Sequence, residues 1–313
     1  MSSLVAPEHC SAQEDAEVLY KACKGIGTDE KAIISILGHR NAFQRKQIRE
    51  AYAERYHDDL IKRLESELSG HLEKAVYRWI LDPQDRDAVL ANVAIKKSGD
   101  YDVIIEIACT LSSEELLAVK RAYEVRYHQS LEEDLAAHTT GDTRKLLLGL
   151  IATYRYQGNE LNVKLAKSEA EILRNTIKNK LYNNEELLRV ITTRSKMQLI
   201  ATLNCYRDHY GSSFAKDLRD DDANGYKKLL RNSVRIINDH KKYYEKVLRN
   251  AIKRFGTDED AVTRVLITRA DKDLKEIQEM YRKRNNDTLA NSIAKETSGY
   301  YKNFLLALLG EKD

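Results

Sequence analysis

The chain has 313 residues, enough for one large domain or several small ones around a sizeable core. Its 52 basic residues nearly balance 49 acidic ones, so no global basic field favours nucleic acid as a partner. With 42% hydrophobic and 32% charged residues, only 2 prolines and long stretches of 3.6-residue periodicity, an all-α fold is expected.

Residues 1–13 read as an N-terminal tail, without the basic and apolar regions of a signal peptide. A short helix is expected over Asp15 to Cys23, followed by the loop Lys24-Gly25-Ile26-Gly27-Thr28. Asp29 and Glu30 open the next helix, where acids suit the positive helix N-terminus. That helix should bury Ile33, Ile34, Ile36 and Leu37 and stop near Gly38. Asn41 with Gln44 has the spacing of a capping box for a third helix, which aligns Ile48, Tyr52 and Tyr56. A fourth helix carries Leu60, Ile61, Leu64 and Leu68; Gly70 breaks it. A fifth carries Leu72, Val76, Trp79 and Ile80 and ends before Asp82-Pro83.

This unit recurs. Anchored at Arg40, Leu111, Arg194 and Arg269, each copy has a tyrosine twelve residues on (Tyr52, Tyr123, Tyr206, Tyr281) and an apolar residue twenty residues on (Leu60, Leu131, Phe214, Leu289). The anchors stand 71, 83 and 75 residues apart, and the longer middle step is absorbed at the polar segment 154–159, which reads as a linker. The expected organisation is repeat 1 over 14–82, repeat 2 over 85–154, repeat 3 over 166–239 and repeat 4 over 241–311. Five helices in each repeat give about twenty, whose apolar faces must cover one another.

Two copies share more than periodicity. Gly27-Thr28-Asp29 is followed by Glu67, 40 residues after the glycine, and Gly256-Thr257-Asp258 by Glu296 at the same offset. A single Gly-x-Gly-Thr is an ordinary helix-to-helix turn; a matched distant acid in two copies is not. A tight loop offering backbone carbonyls, joined by a bidentate carboxylate, is the all-oxygen set that a hard cation such as calcium takes. No Asp-x-Asp-x-Asp-Gly loop occurs, so the device is not an EF-hand.

From about Asp15 to Leu309 the chain resembles the annexin family. The resemblance rests on Gly25-Ile26-Gly27-Thr28-Asp29 with Glu67, on the repeat number and length, and on the closing Leu308-Leu309-Gly310-Glu311. Segments 77–83 and 138–142 look like the plant branch, with its association with stress response. The resemblance implies a compact, curved disc of four five-helix repeats. Calcium loops on its convex face would dock on acidic phospholipid, and the protein would be cytoplasmic and peripheral on membranes when calcium rises.

Carried over by residue, the repeat 1 ligands would be the carbonyls of Cys23, Gly25 and Gly27 with the Glu67 carboxylate. In repeat 4 they would be Ile252, Arg254, Gly256 and Glu296, with Arg254 standing where glycine gives the backbone more freedom. A weaker ion in the family sits near the Thr carbonyl and the Glu two residues on, here Thr28 with Glu30 and Thr257 with Glu259. At the loop tips Ile26 and Phe255 could enter the membrane interface, flanked by Lys24 and Lys253, which an anionic surface attracts.

Repeats 2 and 3 depart from the pattern. Repeat 2 has Lys96-Lys97-Ser98-Gly99-Asp100 for the loop and His138 for the acid, so no calcium is expected there. Repeat 3 has the glycine-free Lys180-Leu181-Tyr182-Asn183-Asn184, with Asp221 or Asp222 near the acid position.

Alternative functions have thinner support. His39 is conceivable as a haem ligand for a peroxidase, but a histidine at a helix C-terminus commonly serves the dipole. Asp222-Ala-Asn-Gly225 fits a nucleotide-type D-x-x-G without any phosphate loop, so nucleotide hydrolysis lacks its partner motif. Val234-Arg235-Ile236-Ile237 resembles a segment linked to actin, though its spacing is that of a buried helix face. Cys10, Cys23, Cys109 and Cys205 lack metal-ligand spacing and read as reduced thiols. With no run of 18 apolar residues, a calcium-permeable conductor is hard to build. The expected role is a membrane adaptor, not an enzyme.

Overall fold

The computed structural model describes residues 1–25, 27–97, 100–152, 154–218, 225–253 and 256–311. Nineteen helices and no strand occur among them. In the first repeat these are α1 (Ala12–Ala22), α2 (Glu30–Leu37), α3 (Ala42–Tyr56), α4 (Leu60–Glu67) and α5 (Gly70–Ile80). The second holds α6 (Pro83–Lys96), α7 (Asp102–Thr110), α8 (Ser113–Tyr127), α9 (Leu131–His138) and α10 (Gly141–Ile151). The third begins with α11 (Val163–Asn179), α12 (Glu185–Thr193), α13 (Lys196–Tyr210) and α14 (Phe214–Asp217). α15 (Gly225–Lys253) leads into the fourth, which continues with α16 (Glu259–Arg269), α17 (Leu274–Asn285), α18 (Leu289–Glu296) and α19 (Gly299–Leu308).

The count of nineteen, not twenty, has a physical cause. α15 is broken at Asp239, whose φ of −161° and ψ of 89° are not helical. The Asp239 carboxylate accepts the backbone N–H of Lys242 at 3.0 Å, as an N-cap does. α15 is therefore two helices, 225–238 and 240–253, sharing one capping residue, and the five-helix pattern holds in all four repeats.

The repeated positions have repeated roles. Tyr52, Tyr123, Tyr206 and Tyr281 are all buried, as are Leu60, Leu131, Phe214 and Leu289. The third helix of every repeat ends on a left-handed residue: His57, His128, Gly211 and Asn286, with φ between 52° and 71°. The expected capping box of Asn41 and Gln44 forms, and Ser112 with Glu115 repeats it in α8. Ile33, Ile34 and Leu37 are buried, whereas Ile36 and Ile61 are half-buried, because each sits at the margin of its helix's apolar stripe. α1 starts earlier than Asp15: the Ser11 hydroxyl accepts the Glu14 N–H at 3.2 Å and caps the helix.

The chain divides into two compact units, one of residues 1–86 with 244–313 and the other of residues 87–243. In the first, the packing is reciprocal: α5 lies against α16 and α19 against α2. A Cβ at Gly38, the residue closing α2, would come within 2.8 Å of the Ala307 Cβ in α19, so this crossing requires glycine. Trp79 is fully buried and donates its indole N–H to the Leu37 carbonyl at 2.7 Å. The guanidinium of Arg45 stacks 3.5 Å over the Trp79 ring, bonds the Arg40 carbonyl at 2.6 Å and reaches Asp271 at 3.1 Å. The first residues of the chain are fixed here too. The Ser3 N–H donates to the Ala270 carbonyl at 3.1 Å and its hydroxyl to the Leu308 carbonyl at 2.6 Å. In the second unit α11 packs along α13, and α10 against α7 and α12. Val234, Ile236 and Ile237 are buried, which supports the core reading of that segment.

Arg45→Ala removes a buried cation together with its stacking on Trp79. The expected loss is about 3 kcal/mol of stability, read as a lowered urea midpoint.

Candidate metal centre

The acid and the loop meet because each closes a helix. α1 ends at Ala22, and the chain turns through Gly25 (φ +115°) and Gly27 (φ +85°) before Asp29 caps α2. Asp29 holds the turn at both ends: its N–H donates to the Ala22 carbonyl at 2.9 Å, and its carboxylate accepts the Ala32 N–H at 2.9 Å. A φ of +115° is open to glycine and strained for every other residue. No described N–H or O–H donates to the carbonyls of Cys23, Gly25 or Gly27. Cys23 is buried, while Gly25 and Gly27 are exposed and a Cβ on either would touch nothing.

Glu67 is the last residue of α4, where the helix C-terminus is already negative. Thr28 fastens it to the loop. Its hydroxyl lies 3.0 Å from the Glu67 carboxylate and 3.2 Å from the Glu67 carbonyl, and its single proton serves one of them at a time. Arg63, one turn back, approaches the other Glu67 oxygen at 3.6 Å and Asp58 at 3.3 Å.

Repeat 4 reproduces this arrangement where it is described. Gly256 has φ +85°, Asp258 donates to the Ala251 carbonyl at 3.0 Å, and its carboxylate accepts the Ala261 N–H at 3.0 Å. Glu296 ends α18, and Thr257 reaches it at 3.5 Å. Ile252 is buried; Thr257 and Glu259 are half-buried. Arg254 lies outside the described residues, as do Ile26 and Phe255 at the loop tips and Asp221 and Asp222 in repeat 3. Lys24 is exposed with its ammonium 5.4 Å over the Tyr20 ring, and Lys253 is exposed with its ammonium 3.0 Å from Asn285.

The acids of the two sites line one groove of about 370 Å³, a feature that sequence reasoning missed. Its lining pairs residue by residue across the two repeats, each partner 229 positions on: Glu30 with Glu259, Glu67 with Glu296, and Ser69 with Ser298. The offset was readable in the sequence. That the two copies face each other is set by the reciprocal packing of α5 and α19. Among the described residues no three carboxylates, imidazoles or thiols converge as a side-chain metal cage would. The donor chemistry that remains is backbone carbonyl plus one carboxylate per loop, which fits calcium and does not fit a softer metal.

Repeats 2 and 3 are built differently. Lys96, at the position of Gly25, donates to Asp134 at 3.0 Å, and His138, at the position of Glu67, lies 3.2 Å from the same carboxylate. Tyr123 also donates to Asp134. In repeat 3 the αL residue Lys180 closes α11 tightly, with the Leu181 N–H returning to the Thr176 carbonyl at 3.0 Å. His39 lies 3.1 Å from the Ser35 carbonyl at the end of its helix.

Burial is the main cause that pushes the Cys23 thiol up to about 11, and the Glu67 charge adds to it. Burial alone pushes Cys109 up to about 11. At pH 8 both should alkylate at least about tenfold more slowly than the half-exposed Cys10 and Cys205, read by mass spectrometry after iodoacetamide. Gly25→Ala should cost about 1–2 kcal/mol through backbone strain alone, since the added methyl meets no atom. Calorimetric unfolding of that variant, with and without calcium, checks both the strain and its effect on the loop.

Family comparison agrees with the architecture. The family model described as Annexin matches residues 14–79, 86–150, 168–232 and 243–308. Annexin-like protein RJ4 of Fragaria ananassa is 63% identical, with 100% of each chain covered. Annexin D6 of Arabidopsis thaliana is 52% identical, with 99% of each covered. Among solved structures, annexin III superposes with a TM-score of 0.92 at 30% identity, covering 100% of this chain and 98% of that one. Calcium-bound annexin (Sm)1 does so with a TM-score of 0.85 at 30% identity, covering 99% of this chain and 93% of that one. The chain belongs to the annexin family, and its relatives include annexins of plants.

Proposed function

We propose that this protein binds acidic phospholipid membranes in a calcium-dependent manner, acting as a peripheral adaptor and not as an enzyme. One observation carries the reading: the same open loop, with its acid at the end of a helix, occurs in repeats 1 and 4, and both acids line one groove. The related annexin (Sm)1 has been solved in a calcium-bound form, which supports the choice of ion.

In this reading Cys23, Gly25 and Gly27 give carbonyl oxygens and Glu67 a carboxylate; Ile252, Arg254, Gly256 and Glu296 are the counterparts. Thr28 with Glu30, and Thr257 with Glu259, offer the weaker positions. These donors leave a calcium ion short of its roughly 6–8 oxygens, and the open positions suit water or a lipid phosphate oxygen. Lipid therefore raises calcium affinity, and calcium raises lipid affinity by the same factor. Lys24 and Lys253 add attraction to an anionic surface, about 1 kcal/mol for each charge close to it. Among the described residues no helix is long and apolar enough to cross a membrane, which favours peripheral attachment over a helical conduction path. A cytoplasmic protein that moves to membranes when calcium rises fits this chemistry.

Co-sedimentation with phosphatidylserine vesicles across a calcium titration tests the proposal. Glu67→Gln and Glu296→Gln should each raise the calcium midpoint by about five- to tenfold, since each removes a ligand charge. Because the two acids share a groove, their effects should not add, giving a coupling of at least about 0.5 kcal/mol in the double-mutant cycle. Pelleting that is identical with calcium and with chelator would exclude the proposal.

A further inference from the structure

The paired groove has one asymmetry. Four residues before the acid, repeat 1 carries Arg63 and repeat 4 carries Ser292. Glu67 is engaged twice, by Thr28 at 3.0 Å and by Arg63 at 3.6 Å, and Arg63 is shared with Asp58 at 3.3 Å. Glu296 meets only the Thr257 hydroxyl among described residues, at 3.5 Å, and is exposed. Repeat 2 shows the same two positions with the charges inverted. There Asp134 stands in the place of Arg63, His138 in that of Glu67, and the Lys96 ammonium occupies Asp134 at 3.0 Å. A side-chain cation thus already serves the acid beside two of the loops.

We propose that Arg63 is a resident counter-cation of the repeat 1 site, which holds Glu67 in the metal-free protein and thereby sets that site's calcium threshold. The inference rests on the calcium reading above and goes beyond it. A carboxylate at the end of α4 lies at the negative helix terminus, where a nearby cation is favourable. Arg63 is that cation in the absence of metal. A calcium ion held by the Glu67 carboxylate would compete with the Arg63 contact at 3.6 Å for the charge on the acid and would stand about 6 Å or less from the guanidinium. At that distance the repulsion in water corresponds to roughly tenfold in affinity, less after salt screening. Arg63 is therefore a positioning and tuning residue and not a ligand, and repeat 4, with Ser292 at this position, has no counterpart of it among the described residues.

Equilibrium dialysis with radiolabelled calcium, in the Glu296→Gln background that weakens the repeat 4 site, weights the reading towards the repeat 1 site. Arg63→Gln should bind calcium about three- to tenfold more tightly, while Arg63→Lys, which keeps the charge, should stay within about twofold of the parent. Unfolding midpoints in chelator show that the variants fold; Arg63 is partly exposed, so only a small change is expected. Unchanged or weaker binding in Arg63→Gln would overturn the proposal. So would equal tightening in Arg63→Lys, which would trace the effect to lost packing and not to charge. If the Glu296→Gln parent binds no calcium that a further Glu67→Gln change removes, the calcium reading itself fails, and this inference with it.

Discussion

The geometry of the candidate site depends on one contact, the Thr28 hydroxyl at the Glu67 end of α4. It joins a loop that closes one helix to an acid that closes another, 39 residues later. Everything around it secures that meeting. Asp29 fixes the loop by bonding backwards to Ala22 and forwards to Ala32. Gly70 turns the chain directly behind Glu67 with φ +65°, and the buried Leu64 and Leu68 seat α4. A carboxylate at a helix C-terminus is unfavourable on its own. Its persistence in α4 and α18 makes sense when a cation is the intended companion.

Much of this was legible in the sequence, because the repeats carry almost no insertions inside their helices. Constant spacing from Arg40 to Tyr52 to Leu60 put apolar residues on one face in every copy, and burial followed. The paired offsets of Glu67 and Glu296 were equally plain. What escaped was set by local capping or by tertiary packing. Ser11 extends α1 by three residues through a side-chain cap that a Ser-x-x-Glu pattern could have revealed. The boundary read between 239 and 241 falls on Asp239, which breaks α15 without proline or glycine by capping the helix that follows.

The groove and the role of Arg63 illustrate the second kind of omission. Nothing in a linear reading says that Ser69 and Ser298 face a common space, since that follows from α5 crossing α16 while α19 crosses α2. Nothing in the linear sequence sets Arg63 apart from the other basic residues. Its meaning comes from a 3.6 Å approach to the acid and from the contrast with Ser292, which the register supplies only once the site is placed.

A site of backbone carbonyls and one carboxylate is intrinsically incomplete, and that incompleteness is what suits it to a coincidence detector. A full cage of carboxylates would hold calcium in the absence of lipid and would need no membrane. On the proposed reading, the donors beside Glu67 and Glu296 would leave positions that an anionic surface could complete, so neither calcium nor lipid alone would satisfy them. On the same reading, Arg63 would move the set point without being a ligand. Repeats 2 and 3 keep the helical scaffold with a lysine beside the loop position, Lys96 on Asp134 in the first case and the left-handed Lys180 after α11 in the second. In every repeat the helices pack through the same apolar register, with a buried tyrosine and a buried apolar residue eight positions on, whatever the loop carries.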